Sequence, residues 1–306
     1  MCMYYYREQL NEKEQKAYDA LLAGLSKRLP VIHLPRTPLP VSELMQDVIL
    51  DHPELTDVDF RMFEYADFLF SGMVKVNYLP EDKGAERKLS RIIRLFQERV
   101  SDSYDDWDKA LIIYDTLGSM IRYGTIDGMS EHTVRGILQK NTAVCDGIAK
   151  MYCLLCSACG IDSIVVQGTI NAEGHAWNLV KLNGRWKHVD LTGDLKLSES
   201  AGVLSHVLFA VADEQVKDHI RDSGKYPACT GENYFEHYQL IADSFLSFAS
   251  MVRKARKAGR ETLNVKFQCA SPLTNTKLQL WMTLLSLTGF MSVIFLEKEQ
   301  IAVFRL

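Results

Sequence analysis

The sequence lacks several features that would mark specialised protein classes. Its net charge of −4 over 306 residues provides no basic field, so we expect no binding to nucleic acid. Its seven cysteines are odd in number and have no framework spacing, which excludes a disulfide-stapled scaffold and favours a reducing compartment. We find no internal repeat and no low-complexity tract, which excludes repeat architectures. With 47% apolar residues, the chain is typical of globular proteins with one large or two modest domains.

The sequence also has no clear export or membrane segment. Residues 1–8 lack a basic stretch followed by an apolar one, so we expect no signal peptide and a cytoplasmic location, unless a signal was removed. The apolar residues 278–296 are interrupted by Gly289 and diluted by polar side chains. They predict a buried helix that ends at Gly289 and a strand over 291–296, and not a membrane span.

A predicted β-hairpin brings a histidine and a carboxylate together. The dipeptide Asn183-Gly184 favours a two-residue type I′ turn, because both central positions of that turn need a positive φ. Such a turn places Asp190 opposite Trp177, and the strand period of two puts His175 on the face of Trp177. His175 and Asp190 then form a diagonal cross-strand pair, within reach of an imidazole and a carboxylate.

Cys145 lies at the predicted start of a helix, upstream of this pair. The helix dipole and a nearby imidazolium both favour the thiolate, which is the nucleophilic form of cysteine. His175 could supply the imidazolium, and the carboxylate of Asp190 could fix its tautomer. Taken singly, each of the three residues is more often structural. The prediction of a nucleophilic site therefore depends on their joint order, spacing and faces.

Three segments resemble the core of the transglutaminase-like superfamily. They are Ala-Val-Cys-Asp-Gly-Ile-Ala (143–149), Gly-His-Ala-Trp-Asn-Leu-Val (174–180) and Gly-Arg-Trp-Lys-His-Val-Asp-Leu-Thr (184–192). That superfamily includes transglutaminases, bacterial cysteine peptidases and inactive members, and the resemblance is closest to bacterial domains. It is specific over residues 123–194 and weaker at 51–55 and 209–219. It implies an α+β, papain-like fold in which the nucleophile helix packs on an antiparallel sheet.

The resemblance implies a role for each residue of the triad. Cys145 corresponds to the nucleophile, His175 to the general base and acid, and Asp190 to the orienting group. Two positions depart from the usual pattern. Ile148 stands where an aromatic residue is common, and Gly193 stands where a tryptophan often follows Asp-x-Thr. The loss of that tryptophan removes bulk near the acceptor side of the expected cleft.

Four further residues are candidates for supporting roles. Acyl transfer needs donors for the oxyanion, and the first is the backbone N–H of the nucleophile. The second could be Tyr123, where such domains often carry a tyrosine, or Gln139, which lies upstream of the thiol as in papain-like enzymes. Trp177 flanks the catalytic histidine. His188 shares the face of the carboxylate and competes as the base, but it lies nearer the turn, so we interpret it as a structural or supporting residue.

The sequence indicates no cofactor. Cys153, Cys156 and Cys159 have the spacing of a ligand run, but they continue a helix and no fourth ligand stands nearby, so we interpret them as buried apolar residues. No acidic loop of calcium-binding spacing is present, and we expect no metal requirement. The expected partner is a peptide or protein amide substrate. The oligomeric state is left open.

The apolar pattern predicts an α+β chain with three regions. Residues 1–104 form a helical N-terminal region with a β-hairpin, residues 105–231 form the catalytic core, and residues 232–306 form a C-terminal α/β extension or a small domain. The resemblance places its specific part inside the middle region.

Several individual elements follow from local signals. Asn11 with Glu14 predicts a capping box at a helix start, and the prolines from 30 to 40 predict an extended connector. Residues 42–50 predict a helix. The apolar residues from 234 to 252 recur at helical spacing and predict one long helix.

Three functions fit these observations. The first is a cysteine-dependent acyl-transfer enzyme, with peptidase or amide hydrolase as the leading interpretation and a thioester as its intermediate. The second is a protein-glutamine amine transferase, that is, a transglutaminase. The third is a catalytically weak or inactive interaction module, since the superfamily contains inactive members.

Overall fold

Helices and strands occur throughout the structure, a computed structural model, which confirms the predicted α+β class. It describes residues 4–58, 63–68, 71–126, 130–199, 202–285 and 292–306. None of the helices in these segments is long and apolar enough to cross a membrane.

The described elements are eleven α-helices, fourteen strands and two 3₁₀ turns. The helices are α1 (Tyr5–Glu8), α2 (Glu12–Ser26), α3 (Val41–Asp51), α4 (Ala85–Arg99), α5 (Asp106–Met120), α6 (Val134–Lys140), α7 (Cys145–Ala158), α8 (Leu191–Ser198), α9 (Tyr234–His237), α10 (Phe245–Lys257) and α11 (Asn275–Leu284). The strands are β1 (Val31–Pro35), β2 (Phe63–Asp67), β3 (Ser71–Val76), β4 (Arg122–Tyr123), β5 (Thr142–Ala143), β6 (Ser163–Ile170), β7 (Glu173–Leu182), β8 (Arg185–Val189), β9 (Phe209–Val211), β10 (His219–Ile220), β11 (Ile241–Ala242), β12 (Thr262–Phe267), β13 (Ser292–Leu296) and β14 (Ile301–Arg305). The 3₁₀ turns are Ser130–His132 and Asp213–Gln215.

The chain divides into two compact units. The first comprises Met1–Trp186 with Asp218–Ala228, and the second comprises Lys187–Lys217 with Cys229–Leu306. The domain limits predicted at 104/105 and 231/232 stay predictions.

The N-terminal part of the first unit contains a three-stranded antiparallel sheet in the order β1-β3-β2. The sheet shares a hydrophobic core with α2 and α3. The predicted capping box is confirmed, since the Asn11 side chain accepts the N–H groups of Lys13 and Glu14 and the Glu14 carboxylate accepts the Asn11 N–H. The predicted helix over 42–50 is confirmed as α3.

The prediction of an extended connector between prolines 30 and 40 was wrong in part. Its first half forms β1, an edge strand of this sheet, because Ile32 and Leu34 alternate into the core while their neighbours are exposed. Pro35 is tolerated because it ends an edge strand, where a missing N–H breaks no inner ladder.

The centre of the first unit is α7 packed on β6 and β7, two antiparallel strands whose outer neighbour is β10. Side chains tie the helix to the sheet. Asn178 Nδ2 donates to Ala149 O at 2.9 Å and to Ile164 O at 3.4 Å, and Cys153 Sγ donates to Ser163 O at 3.2 Å. A helix packed on an antiparallel sheet is the arrangement that the sequence predicts around Cys145.

The predicted two-residue turn follows β7. Asn183 and Gly184 both have a positive φ, of 47° and 81°, and β8 begins at the next residue. Both values fit the type I′ turn that the dipeptide favours. The Asn183 N–H also donates to Asp106 Oδ2 at 3.0 Å, which ties the turn to α5.

The second unit contains the end of β8, which pairs with β9, and a four-stranded sheet in the order β11-β12-β14-β13. The single long helix predicted over 234–252 was wrong. The chain forms α9, then Gln239 with φ 55°, the short strand β11 and α10. Ser244 caps α10 by accepting the Ser247 N–H at 3.3 Å, and β11 pairs with β12, so tertiary pairing and a local cap override the helical spacing.

Other predicted elements are present with changes. The β-hairpin predicted within residues 1–104 appears as β2 and β3, and the strand predicted over 291–296 appears as β13. The helix predicted before Gly289 appears as α11, and its predicted end at Gly289 lies outside the described residues. Only Leu278 and Trp281 of α11 are buried, so the prediction of a buried helix was wrong.

Candidate active site

Cys145 is the first residue of α7, as predicted, and it is half-buried. The preceding residue, Val144, has an extended backbone and donates its N–H to Glu131 O at 3.1 Å. This bond fixes the helix start to the 3₁₀ turn Ser130–His132. The first N–H groups of a helix have no partner inside it, and the positive end of the dipole lies there, so an anion near Cys145 is favoured.

Gly147 allows the start of α7 to touch that 3₁₀ turn. A Cβ atom at this position would lie 3.0 Å from Thr133 O and 2.9 Å from Ala143 Cβ, and closer still to Glu131 O. Any larger residue would push the helix away from the turn. The close packing therefore fixes the position of the thiol-bearing residue two places earlier.

A buried polar network, which the sequence reasoning missed, surrounds the first turn of α7. His132 Nδ1 lies 2.9 Å from Asp146 Oδ1, and Lys150 Nζ donates to His132 O at 2.9 Å. Lys150 Nζ is also 4.0 Å from Asp146 Oδ2, and both side chains are buried. The spacing of four residues between Asp146 and Lys150 was an available signal for this pair.

His175 lies on β7, opposite Gly168 of β6. Its ring stacks on Trp177, with centroids 5.9 Å apart and an interplanar angle of 17°. His219 of β10 meets both rings edge-on, with centroids 6.1 Å from His175 and 5.2 Å from Trp177. The nearest ring nitrogens of His175 and His219 are within 4.8 Å of one another. The rings of His175, Trp177 and His219 therefore form an aromatic cluster, and the His175 imidazole lies within it.

His219 was not among the predicted site residues, although it ends a segment that resembles the family weakly. It is buried, and its Nδ1 lies 2.9 Å from Asp218 Oδ1. Its strand has only two residues and pairs with β6, whose partner residues are about fifty positions earlier in the chain. Such a short strand gives no periodic pattern that sequence reasoning could detect.

Gly168 makes room for this aromatic cluster. A Cβ atom there would lie 2.7 Å from Trp177 Cη2 and would overlap Ile220 O of β10. Only a residue without a side chain at this position lets the indole lie across β6 and also lets β10 pair with β6. The position of Trp177 beside His175 thus depends on glycine.

Asp190 belongs to the second unit, where it is almost fully buried and forms the N-cap of α8. Its Oδ1 accepts the Gly193 N–H at 3.0 Å, and its own N–H donates to Leu208 O at 2.9 Å. A Cβ atom at Gly193 would lie 2.9 Å from Asp190 Oδ2 and would overlap the Leu208 side chain. The absence of a side chain at Gly193 therefore leaves the space that the Asp190 carboxylate occupies. The pairing of Asp190 with His175 stays a prediction.

The two oxyanion candidates have different settings. Tyr123 is exposed and lies on β4, where it pairs with Ala143 of β5, two residues before the thiol. Gln139 lies on α6, and its amide nitrogen donates to Asp82 Oδ2 at 3.1 Å on the surface. Since one of its two N–H donors already binds a surface carboxylate, Gln139 is the weaker candidate of the two.

His188 lies in the second unit and is buried. Its Nε2 is 2.7 Å from Asp213 Oδ1. This bond to a carboxylate within the same unit agrees with the interpretation of His188 as structural.

Cys145 and His175 thus lie in one compact unit, on a helix and a strand that pack together. A thiol and an imidazole are the two groups that nucleophilic acyl transfer requires, with a third group to orient the base. The structure gives each predicted residue a defined element: the start of a helix, an inner strand and a helix cap.

Comparison with known proteins agrees with the resemblance seen in the sequence. Residues 94–191 match the model of the transglutaminase-like superfamily, and all three residues of the predicted triad fall inside that range. No curated protein matches.

Solved structures are similar over part of the chain. One is a TGase, 12% identical, with a TM-score of 0.33 over 53% of this chain and 50% of that one, so the chain spans about half the length of that relative. A candidate cysteine protease from Cytophaga hutchinsonii is 13% identical, with a TM-score of 0.33 over 56% and 70%. The periplasmic domain of TgpA from Pseudomonas aeruginosa is 12% identical, with a TM-score of 0.30 over 56% and 71%. The likeness to a known family is therefore limited to residues 94–191, which match the model of the transglutaminase-like superfamily.

Proposed function

We propose that the protein is a cysteine-dependent amide hydrolase, with peptide or protein substrates, that acts through a Cys145–His175–Asp190 triad. The observation that carries the proposal is the position of Cys145 at the start of α7, a helix packed on the strand that bears His175. The family match over residues 94–191 covers the positions of all three residues.

The reaction would proceed in two halves. His175 takes the thiol proton of Cys145, and the sulfur attacks the amide carbonyl carbon. The C–N bond then breaks, His175 returns the proton to the leaving amine, and a thioester remains on Cys145. Water, deprotonated by His175, attacks the thioester, and release of the acid restores the thiol. Asp190 would orient the imidazole and stabilise its charged form.

Charge develops on the carbonyl oxygen in both halves of the reaction. The Cys145 N–H, in the first turn of α7, is the proposed first donor, because such groups have no partner inside the helix. Tyr123 is the proposed second donor, since β4 runs beside β5 and β5 leads into the thiol residue.

A variant series tests the triad. Cys145→Ala should abolish hydrolysis of a peptide-amide library, and His175→Ala and Asp190→Asn should each lower turnover at least a hundredfold with little change in Tm. His188→Ala is the matched control: it removes a histidine of the same hairpin and should lower Tm more than turnover. Full activity in His175→Ala would refute the assignment of the base.

Two other functions remain to be separated from hydrolysis. In a transglutaminase, an amine and not water would resolve the thioester, so the products distinguish the two. In an interaction module, no turnover would occur with any substrate, although Cys145 could still be alkylated. The calcium independence expected from the sequence is checked by assaying the same library with and without a calcium chelator.

A further inference from the structure

Three side chains of metal-ligating types meet within the second unit. His188 Nε2, a carboxylate oxygen of Asp213 and Cys229 Sγ all lie within 4.8 Å of one another. We propose that these three residues bind one Zn²⁺ ion. Nitrogen, oxygen and sulfur donors together suit zinc, which is commonly bound by His, Asp and Cys side chains.

The separations are close to those of a zinc site. Zinc bonds of about 2.0–2.3 Å in a tetrahedron place ligand atoms about 3.3–3.7 Å apart. His188 Nε2 and Asp213 Oδ1 are 2.7 Å apart, and the thiol is no farther than 4.8 Å from either. Small side-chain rotations would therefore be enough to admit the ion.

Backbone hydrogen bonds already hold two of the ligands against each other. The Asp213 N–H donates to Cys229 O at 3.0 Å, and the Cys229 N–H donates to Asp213 Oδ2 at 2.9 Å. The second bond occupies one carboxylate oxygen and leaves Oδ1 directed at His188. Support of this kind, from groups that orient the ligands, is common around bound metal ions.

The third proposed ligand, His188, is held in place by the pairing of β8 with β9. His188 lies on β8, opposite Val211 of β9, two residues before Asp213. The adjacent residue, Lys187, is buried and donates through Nζ to Thr230 O at 2.6 Å and to Glu232 O. This lysine holds the segment that follows Cys229 against β8, so all three ligands lie on segments that are bonded together.

Charge and exposure also favour the ion. A thiolate, a carboxylate and a neutral imidazole with Zn²⁺ have no net charge, which lowers the cost of burial. His188 and Cys229 are almost completely buried, whereas the Asp213 side chain is 37% exposed. The carboxylate side offers a path for entry and room for a water molecule as fourth ligand.

Zinc titration of the full chain tests the proposal. The parent protein for this test carries Cys145→Ala and His175→Ala, so that zinc held by the proposed catalytic residues is not counted. After treatment with a chelator, we expect calorimetry to show one equivalent of Zn²⁺ and thermal unfolding to show a higher Tm with zinc. Cys229→Ser and Asp213→Asn should each weaken zinc affinity at least tenfold. Cys269→Ser, a half-buried cysteine of the same unit, is the control and should leave the affinity unchanged.

Cobalt reports on the sulfur ligand itself. Co²⁺ in place of zinc should give a thiolate-to-metal absorption band that Cys229→Ser removes. If that variant does not fold, Asp213→Asn carries the test, because its side chain is partly exposed. If the parent binds no zinc, or if both variants bind it as the parent does, the His188–Asp213 bond acts without a metal and the proposal is overturned.

Discussion

At the scale of single residues, the surroundings of Cys145 differ from those of other described thiols. Burial raises the pKa of Cys156 far above its usual value and also raises the pKa of Cys159 and of Cys269. Cys145 is half-buried at the positive end of α7. Because the thiolate is the reactive form, we expect iodoacetamide to modify Cys145 first. Brief treatment with a limiting amount at mildly acidic pH, followed by peptide mapping, measures this.

Two variants make the labelling test specific. His175→Ala should slow the modification of Cys145, because it removes the proposed proton acceptor, whereas His188→Ala should not. Faster labelling of another cysteine in the unsubstituted protein would remove Cys145 as the nucleophile.

At the scale of elements, the indole of Trp177 packs directly against the backbone of β6 at Gly168. The Cβ of Gly168→Ala would lie 2.7 Å from Trp177 Cη2 and would overlap Ile220 O. Overpacking of this kind typically costs about 1–3 kcal/mol. We expect Gly168→Ala to lower the free energy of unfolding by that amount and turnover at least tenfold, because Trp177 stacks on His175. Urea denaturation and a peptide-amide assay measure the two effects.

Gly174 provides the matched control on β7. It precedes His175, and a Cβ atom there would meet nothing within 4 Å. Gly174→Ala should therefore leave stability nearly unchanged. If both alanine variants are equally stable, the close approach at Gly168 is not what holds the aromatic cluster.

Asp51, at the end of α3, joins three helices. Its carboxylate accepts the N–H groups of Tyr6 and Arg7 and the hydroxyl of Tyr18. Burial nevertheless raises the pKa of Asp51 from 3.8 to about 6. Between those values the folded protein binds more protons than the unfolded chain, so its free energy of unfolding falls as pH rises. A pKa shift of this size lowers the free energy of unfolding by on the order of 3 kcal/mol at most as pH rises through both pKa values. Urea denaturation at several pH values should show this decline, and Asp51→Asn should reduce it.

Asp19 supplies a control of opposite sign. A hydrogen bond from Arg7 lowers the pKa of this more exposed carboxyl, so its contribution to stability is present above the unfolded pKa and is lost as pH falls through the folded pKa. Asp19→Asn should therefore leave the decline between about pH 4 and 6 in place. Equal pH profiles for the unsubstituted protein and Asp51→Asn would show that Asp51 does not cause the decline.

Elements with local causes were predictable from the sequence. The capping box at Asn11 and the turn at Asn183-Gly184 each depend on residues a few positions apart, and both are present. The division of the predicted long helix at Gln239 was not predictable, because it depends on β11 pairing with a strand more than twenty residues later. His219 was missed for the same reason, since it joins the cluster through pairing with distant β6.

At the scale of the whole molecule, the choice between hydrolysis and amine transfer depends on whether water reaches the thioester. A transferase usually keeps water out with aromatic walls. Trp177 is engaged with the rings of His175 and His219, and the position where a tryptophan is common is Gly193. A larger residue at Gly193 would displace the Asp190 carboxylate, since even a Cβ would lie 2.9 Å from Oδ2. We therefore expect hydrolysis to dominate.

The test gives the protein a glutamine-containing peptide amide and an excess of a labelled primary amine. Mass spectrometry should find more free acid than amine adduct, and Cys145→Ala should form neither. An excess of stable adduct would instead favour a transglutaminase, because the amine would then attack the thioester faster than water does. If a broad substrate library gives neither product while Cys145 is still alkylated rapidly, the interaction module is favoured, since the thiol would be reactive without a substrate that fits.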